Sequence, residues 1–137
     1  MNKEQAMVFK VIWSDWDGSV RGRPYRKLAI NCNATLYDLA QAALESFEFD
    51  MDHPFGFYDN LKRWTRSKEG YELFADMGGE TDFPGVKSVK AAQVFHTPKK
   101  KMLMLFDYGD EWRFIVQNLG EIEITSNQKL PAILESK

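Results

Sequence analysis

The stretch Leu103-Met-Leu-Phe-Asp-Tyr-Gly-Asp-Glu-Trp-Arg-Phe-Ile-Val116 decides how this chain folds. With Met102 before it, it holds two apolar runs, Met102 to Phe106 and Trp112 to Val116, joined across Asp107-Tyr108-Gly109-Asp110. The linking residues are turn formers: Asp107 is placed to accept the amide of Gly109 in an Asx-turn, and Gly109 to take a positive φ. The stretch therefore predicts a β-hairpin. In its second run Trp112, Phe114 and Val116 share one face and Glu111, Arg113 and Gln117 the other, the period-2 pattern of a half-buried strand. The first run does not alternate, which predicts a central strand covered on both faces. On this reading Asp107, Gly109 and Asp110 serve the turn, and Trp112 is a core residue whose indole N–H needs one partner.

Outward from the hairpin, 137 residues are enough for one domain, residues 1–137, with a core that needs neither disulfide nor metal. An aromatic content of 14% favours a sheet-containing fold. The formal charge of -2 and pI near 5.7 give no global attraction to nucleic acid or anionic membrane, so nucleic acid is not the favoured partner. The single cysteine, Cys32, excludes an intrachain disulfide framework and fits a reducing compartment. No apolar run reaches the roughly 18 residues of a membrane span, and Met1-Asn-Lys-Glu-Gln5 lacks a signal-peptide core, so a cytoplasmic protein is expected.

Residues 6–14 alternate as a strand, with Phe9, Val11 and Trp13 on one side, and Tyr25 to Ile30 alternates again. Between them Asp15 to Pro24 is rich in turn formers, which predicts a hairpin with a long loop. Arg21, Arg23, Arg26 and Lys27 cluster there, and they read first as a solvated face and second as an anion contact. Thr35 and Asp38 fit a capping box, and Leu36, Leu39, Ala40, Ala43, Leu44 and Phe47 form one apolar stripe, so Thr35 to Phe47 is predicted helical. Phe55 to Tyr58 reads as a short strand. Residues 60–85 show no clean period and predict an ordered, irregular excursion that lays aromatics over the core. Ser88 caps a predicted short helix to Phe95, Leu119 to Ile124 extends or follows the last strand, and the polar segment from Ser126 to Lys137 lies against the body or frays.

Candidate chemistry is sparse. Asp50, Asp52 and His53 precede the short strand, and with Asp107 and Asp110 they are the residue types of a divalent-metal site. Their spacing matches no metal motif, and a helix end followed by a turn accounts for the first three. No Ser-His-Asp or Cys-His arrangement, no cofactor motif and no catalytic residue is identifiable.

The order of these features resembles one family. A hairpin carrying Arg26, the Thr-Leu-Tyr-Asp-Leu39 helix start, Phe49-Asp-Met-Asp-His-Pro-Phe-Gly-Phe57 and Leu105-Phe-Asp-Tyr-Gly-Asp-Glu-Trp-Arg-Phe114 are similar to the plasmid pRiA4b ORF-3-like family over about residues 6–124. The most specific part is Phe106-Asp-Tyr-Gly-Asp-x-Trp112. The resemblance implies an α+β domain of β-grasp, ubiquitin-like type: a mixed sheet of four to six strands with one main helix across it. It also implies a largely uncharacterised protein, some of whose relatives travel with mobile elements under a resolvase-like label. Two departures stand out. Tyr25 occupies a position where the family usually has tryptophan, and Leu130-Pro-Ala-Ile-Leu-Glu-Ser-Lys137 stands where many members continue into Pro-Pro-Glu-Asp and Gly-Gly, so a function located there is expected to be absent. The resolvase label does not fit: Ser14 lacks the arginine context of a recombinase nucleophile, and no basic helix-turn-helix follows.

Three function classes follow. The favoured one is a non-enzymatic module presenting an aromatic, carboxylate-rich surface to a protein or small ligand. The second is a metal-dependent hydrolase built on Asp50, Asp52, His53, Asp107 and Asp110. The third is a nucleic-acid accessory protein using Arg21, Arg23, Arg26 and Lys99-Lys-Lys101. Oligomeric state is not legible.

Overall fold

Leu103 lies opposite Ile115 and Met104 opposite Phe114 in an antiparallel pair, so the predicted hairpin forms. The computed structural model of the protein describes residues 3–17, 19–125 and 127–137. Met1 and Asn2, Gly18 of the predicted 15–24 loop and Ser126, where the predicted polar tail begins, lie outside them. In chain order the elements are β1 (Lys3–Trp13), β2 (Tyr25–Asn31), α1 (Leu36–Ser46), β3 (Phe55–Tyr58), a 3₁₀ turn (Trp64–Arg66), β4 (Gly70–Glu72), α2 (Leu73–Asp76), α3 (Ala91–Val94), β5 (Lys101–Phe106), β6 (Trp112–Thr125) and β7 (Ala132–Ser136). The strands form one sheet in the order β4-β3-β5-β6-β1-β2-β7, and every pairing is antiparallel.

This corrects the expected α+β, β-grasp domain. The sheet has seven strands instead of four to six, it is antiparallel instead of mixed, and α1 alone among the described helices exceeds four residues; the fold is mainly β. The cause is the length of β6. A β-grasp sets its first and last strands side by side in parallel, whereas here β1 pairs antiparallel with both β2 and β6, and β6 enters from a tight turn antiparallel to β5. Its 14 residues then continue past β5 and pair with β1 from Trp13 to Lys3, again antiparallel. The two edge strands come from segments without a legible period. β4 lies in the 60–85 excursion, and β7 in the polar tail pairs with β2 through Leu28 and Ile133.

α1 joins β2, second from one edge, to β3, second from the other, so it must cross one face of the sheet. Thr35 caps it as predicted: Thr35 Oγ1 accepts from Asp38 N at 3.1 Å while the Asp38 carboxylate accepts from Thr35 N at 3.0 Å. Its apolar stripe meets Phe9 and Val11 of β1, Leu28 and Ile30 of β2, Phe57 of β3, Met102 and Met104 of β5, and Phe114 and Val116 of β6 in one buried cluster. The alternate residues Ile12, Tyr58, Leu103, Leu105 and Ile115 form a second cluster on the opposite face, under Leu61, Trp64, Phe83 and Tyr108 of the excursion and the turn. β5 is therefore apolar on both faces because both are covered, as its unbroken run implied. The predicted 88–95 helix shortens to α3, capped by Lys90 rather than Ser88.

Candidate functional site

Asp107 and Tyr108, adjacent in sequence, are sent to opposite faces of the sheet, and the chemistry of the molecule divides between them. Asp107 leaves β5 with φ 64°. Its N–H donates to Pro54 O at 2.9 Å, which extends the β3–β5 pairing by one step and draws His53 beside the turn. Its Oδ1 accepts from Gly109 N at 3.1 Å and Asp110 N at 3.4 Å, the predicted Asx-turn. The left-handed residues are Asp107 and Glu111 (φ 53°), not Gly109, whose φ is not positive. This corrects the expectation for the glycine. Asp tolerates the left-handed region because its short polar side chain bonds locally.

That geometry sets the response to substitution. A Cβ on Gly109 would stand 3.4 Å from Asp107 Oδ1 and nothing closer, so Gly109→Ala is expected to change stability by less than about 0.5 kcal/mol. Asp107→Val loses the turn acceptor and forces a β-branched residue to φ 64°, an expected cost of about 2–3 kcal/mol. Asp107→Asn keeps the acceptor and lies between them. Urea unfolding midpoints read the order, and a Gly109→Ala protein less stable than Asp107→Val contradicts the assignment.

His53 sits between two carboxylates. Its Nδ1 is 2.8 Å from Asp52 Oδ1, its Nε2 is 3.6 Å from Asp107 Oδ2, and its ring meets the ring of Phe106 edge-on at 5.9 Å. The hydrogen bond to Asp52 raises its pKa above the ordinary imidazole value, desolvation opposes the rise, and the charges of Asp107, Asp52 and Asp110 add to it. Of the five predicted metal candidates, Asp52, His53 and Asp107 thus meet, Asp110 acts on His53 through its charge, and the side chain of exposed Asp50 joins none of these contacts. Among the described residues no three His, Cys, Asp or Glu side chains are gathered as metal ligands.

Beside His53 an aromatic cluster reaches the surface. Trp13 contacts Phe47, Phe49, Trp112 and Phe114, and Phe49 bridges Phe106 to Trp112 at centroid distances of 5.8 and 5.5 Å. Trp112 was expected in the core but is 37% exposed, because it starts β6 at the end of the sheet, beyond the cover of α1. Of the three arginines considered for an anion, Arg26 lies over the Phe47 ring at 4.3 Å and donates from Nε to Ser46 O at 3.0 Å. Arg23 pairs with Asp15, and Arg21 is exposed.

On the opposite face Tyr108 closes a buried network that the sequence reading missed. Tyr58 donates its hydroxyl proton to Glu72 Oε2, Thr81 donates to Glu72 Oε1, and the Tyr108 oxygen is 2.7 Å from that of Tyr58. With the Tyr58 proton committed to Glu72, Tyr108 is the donor in that last bond. Burial pushes both phenols well above their ordinary pKa, which keeps them neutral donors that fasten the excursion to the sheet. The available signal was a tyrosine closing the unbroken apolar run Phe55-Gly-Phe-Tyr58, since a buried phenol requires a polar partner.

A seven-stranded antiparallel sheet crossed by one helix, with its most distinctive residues at one hairpin turn, defines the class. The plasmid pRiA4b ORF-3-like protein model matches residues 17–137, and the chain belongs to that family. The crystal structure of a protein of unknown function from Methanosarcina mazei Go1, MM3350, is similar with a TM-score of 0.76 at 17% identity, over 97% of this chain and 70% of that one, which shows a shared fold. No curated protein is significantly similar. No helix of the described residues is long and apolar enough to cross a membrane.

Proposed function

We propose that this protein is a non-enzymatic binding module whose turn end, with Trp112, Phe49, Asp52, Asp107 and Asp110, receives a cationic group of a protein or small ligand. The observation that carries the reading is the partly exposed indole of Trp112, packed edge-on against Trp13 and tilted against Phe49, on the strand that leaves the acidic turn. An indole face attracts a guanidinium or ammonium, and neighbouring carboxylates add Coulomb attraction of the same sign. The metal-hydrolase alternative has no such support, since Asp50 stays apart from the His53 contacts.

The test is titration of an arginine-rich peptide into ¹⁵N-labelled protein. Shifts are expected at the Trp112 indole and the Asp107–Trp112 amides, with Trp112→Ala weakening binding by about 2–30-fold. His53, whose pKa is raised, supplies a pH signature, and the positive charge it loses on deprotonation sets the sign. Below that pKa the imidazolium occupies Asp52 and Asp107, and as pH rises through it the surface loses a positive charge. Cation binding should therefore strengthen with rising pH in the native protein and lose that dependence in His53→Gln. Shifts confined to another surface, or none, would reject the reading.

A further inference from the structure

We infer that the face opposite α1 carries a second, independent site, a cleft between Trp16 and Trp64 that binds single-stranded nucleic acid. Two loops far apart in sequence meet there: the β1–β2 loop brings Trp16 and Asp17, and the β3–β4 connection brings Lys62, Arg63 and Trp64, over Glu111 and Arg113 of the hairpin. The cleft encloses about 510 Å³, within the range of ligand pockets of roughly 300–1,000 Å³. Trp16 is 80% exposed, the most exposed of the large apolar side chains described, and a free indole face at a pocket mouth is a stacking platform for a base.

The charges have the matching sign. Lys62-Arg-Trp-Thr-Arg-Ser-Lys68 presents Lys62, Arg63, Arg66 and Lys68 as exposed side chains, and none makes an ion pair among the described residues. Four unpaired cations on seven residues give a local attraction for phosphates that the net charge of -2 conceals. Within the cleft Arg113 donates from Nη2 to Glu111 Oε1 at 2.7 Å and from Nη1 to Lys62 O at 3.1 Å. Its Nε is the one buried side-chain polar atom without a partner among the described residues.

The cleft favours a single strand over the other polyanions. Asp17 and Glu111 would repel the packed headgroups of an anionic bilayer, but they can accept from base N–H groups, including the ring N–H of thymine and uracil. A duplex keeps its bases stacked on one another and cannot offer a face to Trp16.

The experiment is fluorescence anisotropy of labelled dT12 and rU12 with the intact chain, beside a 12-base-pair duplex and phosphatidylserine vesicles. A single strand is expected to bind in preference to duplex and vesicles, with affinity falling as salt rises. Trp16→Ala, at an exposed position that leaves the fold intact, should weaken binding by about 5–150-fold, the loss of one stacked base. Lys62→Glu with Arg63→Glu should flatten the salt dependence. Trp112→Ala should change nothing here, so this site and the cationic-ligand reading stand or fall separately. No binding of either single strand at low salt, equal binding of duplex, a preference for vesicles, or indifference to Trp16→Ala overturns the inference.

Discussion

Replacing Gly56 with alanine is expected to lower the stability of the fold by about 2–5 kcal/mol, although the change adds a single methyl group. Gly56 shares its face of β3 with Tyr58, two residues on. A Cβ there would lie 2.5 Å from the Tyr108 hydroxyl oxygen, 2.8 Å from that of Tyr58 and 2.9 Å from Tyr58 Cε2. These are ring ends, but neither is free to swing away. Tyr58 is fully buried and bonded to Glu72, whose carboxylate also holds Thr81 on the excursion. Making room means tilting both rings, and the buried carboxylate then loses donors it cannot replace with water. Overpacking accounts for about 1–3 kcal/mol and the weakened network for a similar amount. Tyr108→Phe alone should cost about 1 kcal/mol. In the Gly56→Ala background it should cost less or even help, because it removes the atom nearest the new methyl. Thermal midpoints of the two single variants and the double variant measure this coupling. A Gly56→Ala protein melting with the native one would remove the network from the forces that hold the excursion down.

Leu39→Ala and Leu44→Ala are each expected to cost about 2–5 kcal/mol, read from urea unfolding curves with unchanged slope. Both leucines are fully buried in the cluster between α1 and the sheet, in contact range of side chains from several strands that have no other cover. Loss of the Thr35 cap by Thr35→Ala should cost about 1 kcal/mol, so packing and not local propensity dominates the helix. If both leucine variants unfolded at the native midpoint, α1 would not be closing the core.

The conformation of the hairpin could be read almost whole from its residues because it is local. Two apolar runs separated by five residues have one economical pairing, and Asp107 accepts the turn amides through its own side chain. The helix was equally legible, since Thr35, Asp38 and a 3.6-residue stripe act within one element. Gly109 misled because several backbone paths cross a turn containing glycine, and the one adopted places the left-handed conformation at Asp107 and Glu111. Trp112 misled because alternation assigns a face of the sheet without saying where along the strand its cover stops.

What the sequence determined by itself was the set of elements whose signal is short-range: the strands at 6–14, 25–30, 55–58 and 102–116, the capped helix, and membership in a family through the Phe106-Asp-Tyr-Gly-Asp-x-Trp112 signature. Only the tertiary structure decided the architecture. Strand order depends on which edges are left unpaired once β6 has run past β5, and the edge strands β4 and β7 form because a neighbour offers free backbone groups, not because their own residues alternate. The same holds for the sites. His53 reaches Asp107 because the β3–β5 pairing carries Pro54 to the turn, and Trp16 and Trp64, 48 residues apart in the chain, line one cleft because the β3–β4 connection folds back over the sheet face toward the β1–β2 loop. Residue type and spacing cannot report such encounters, since they are set by the sum of many weak pairings elsewhere in the sheet.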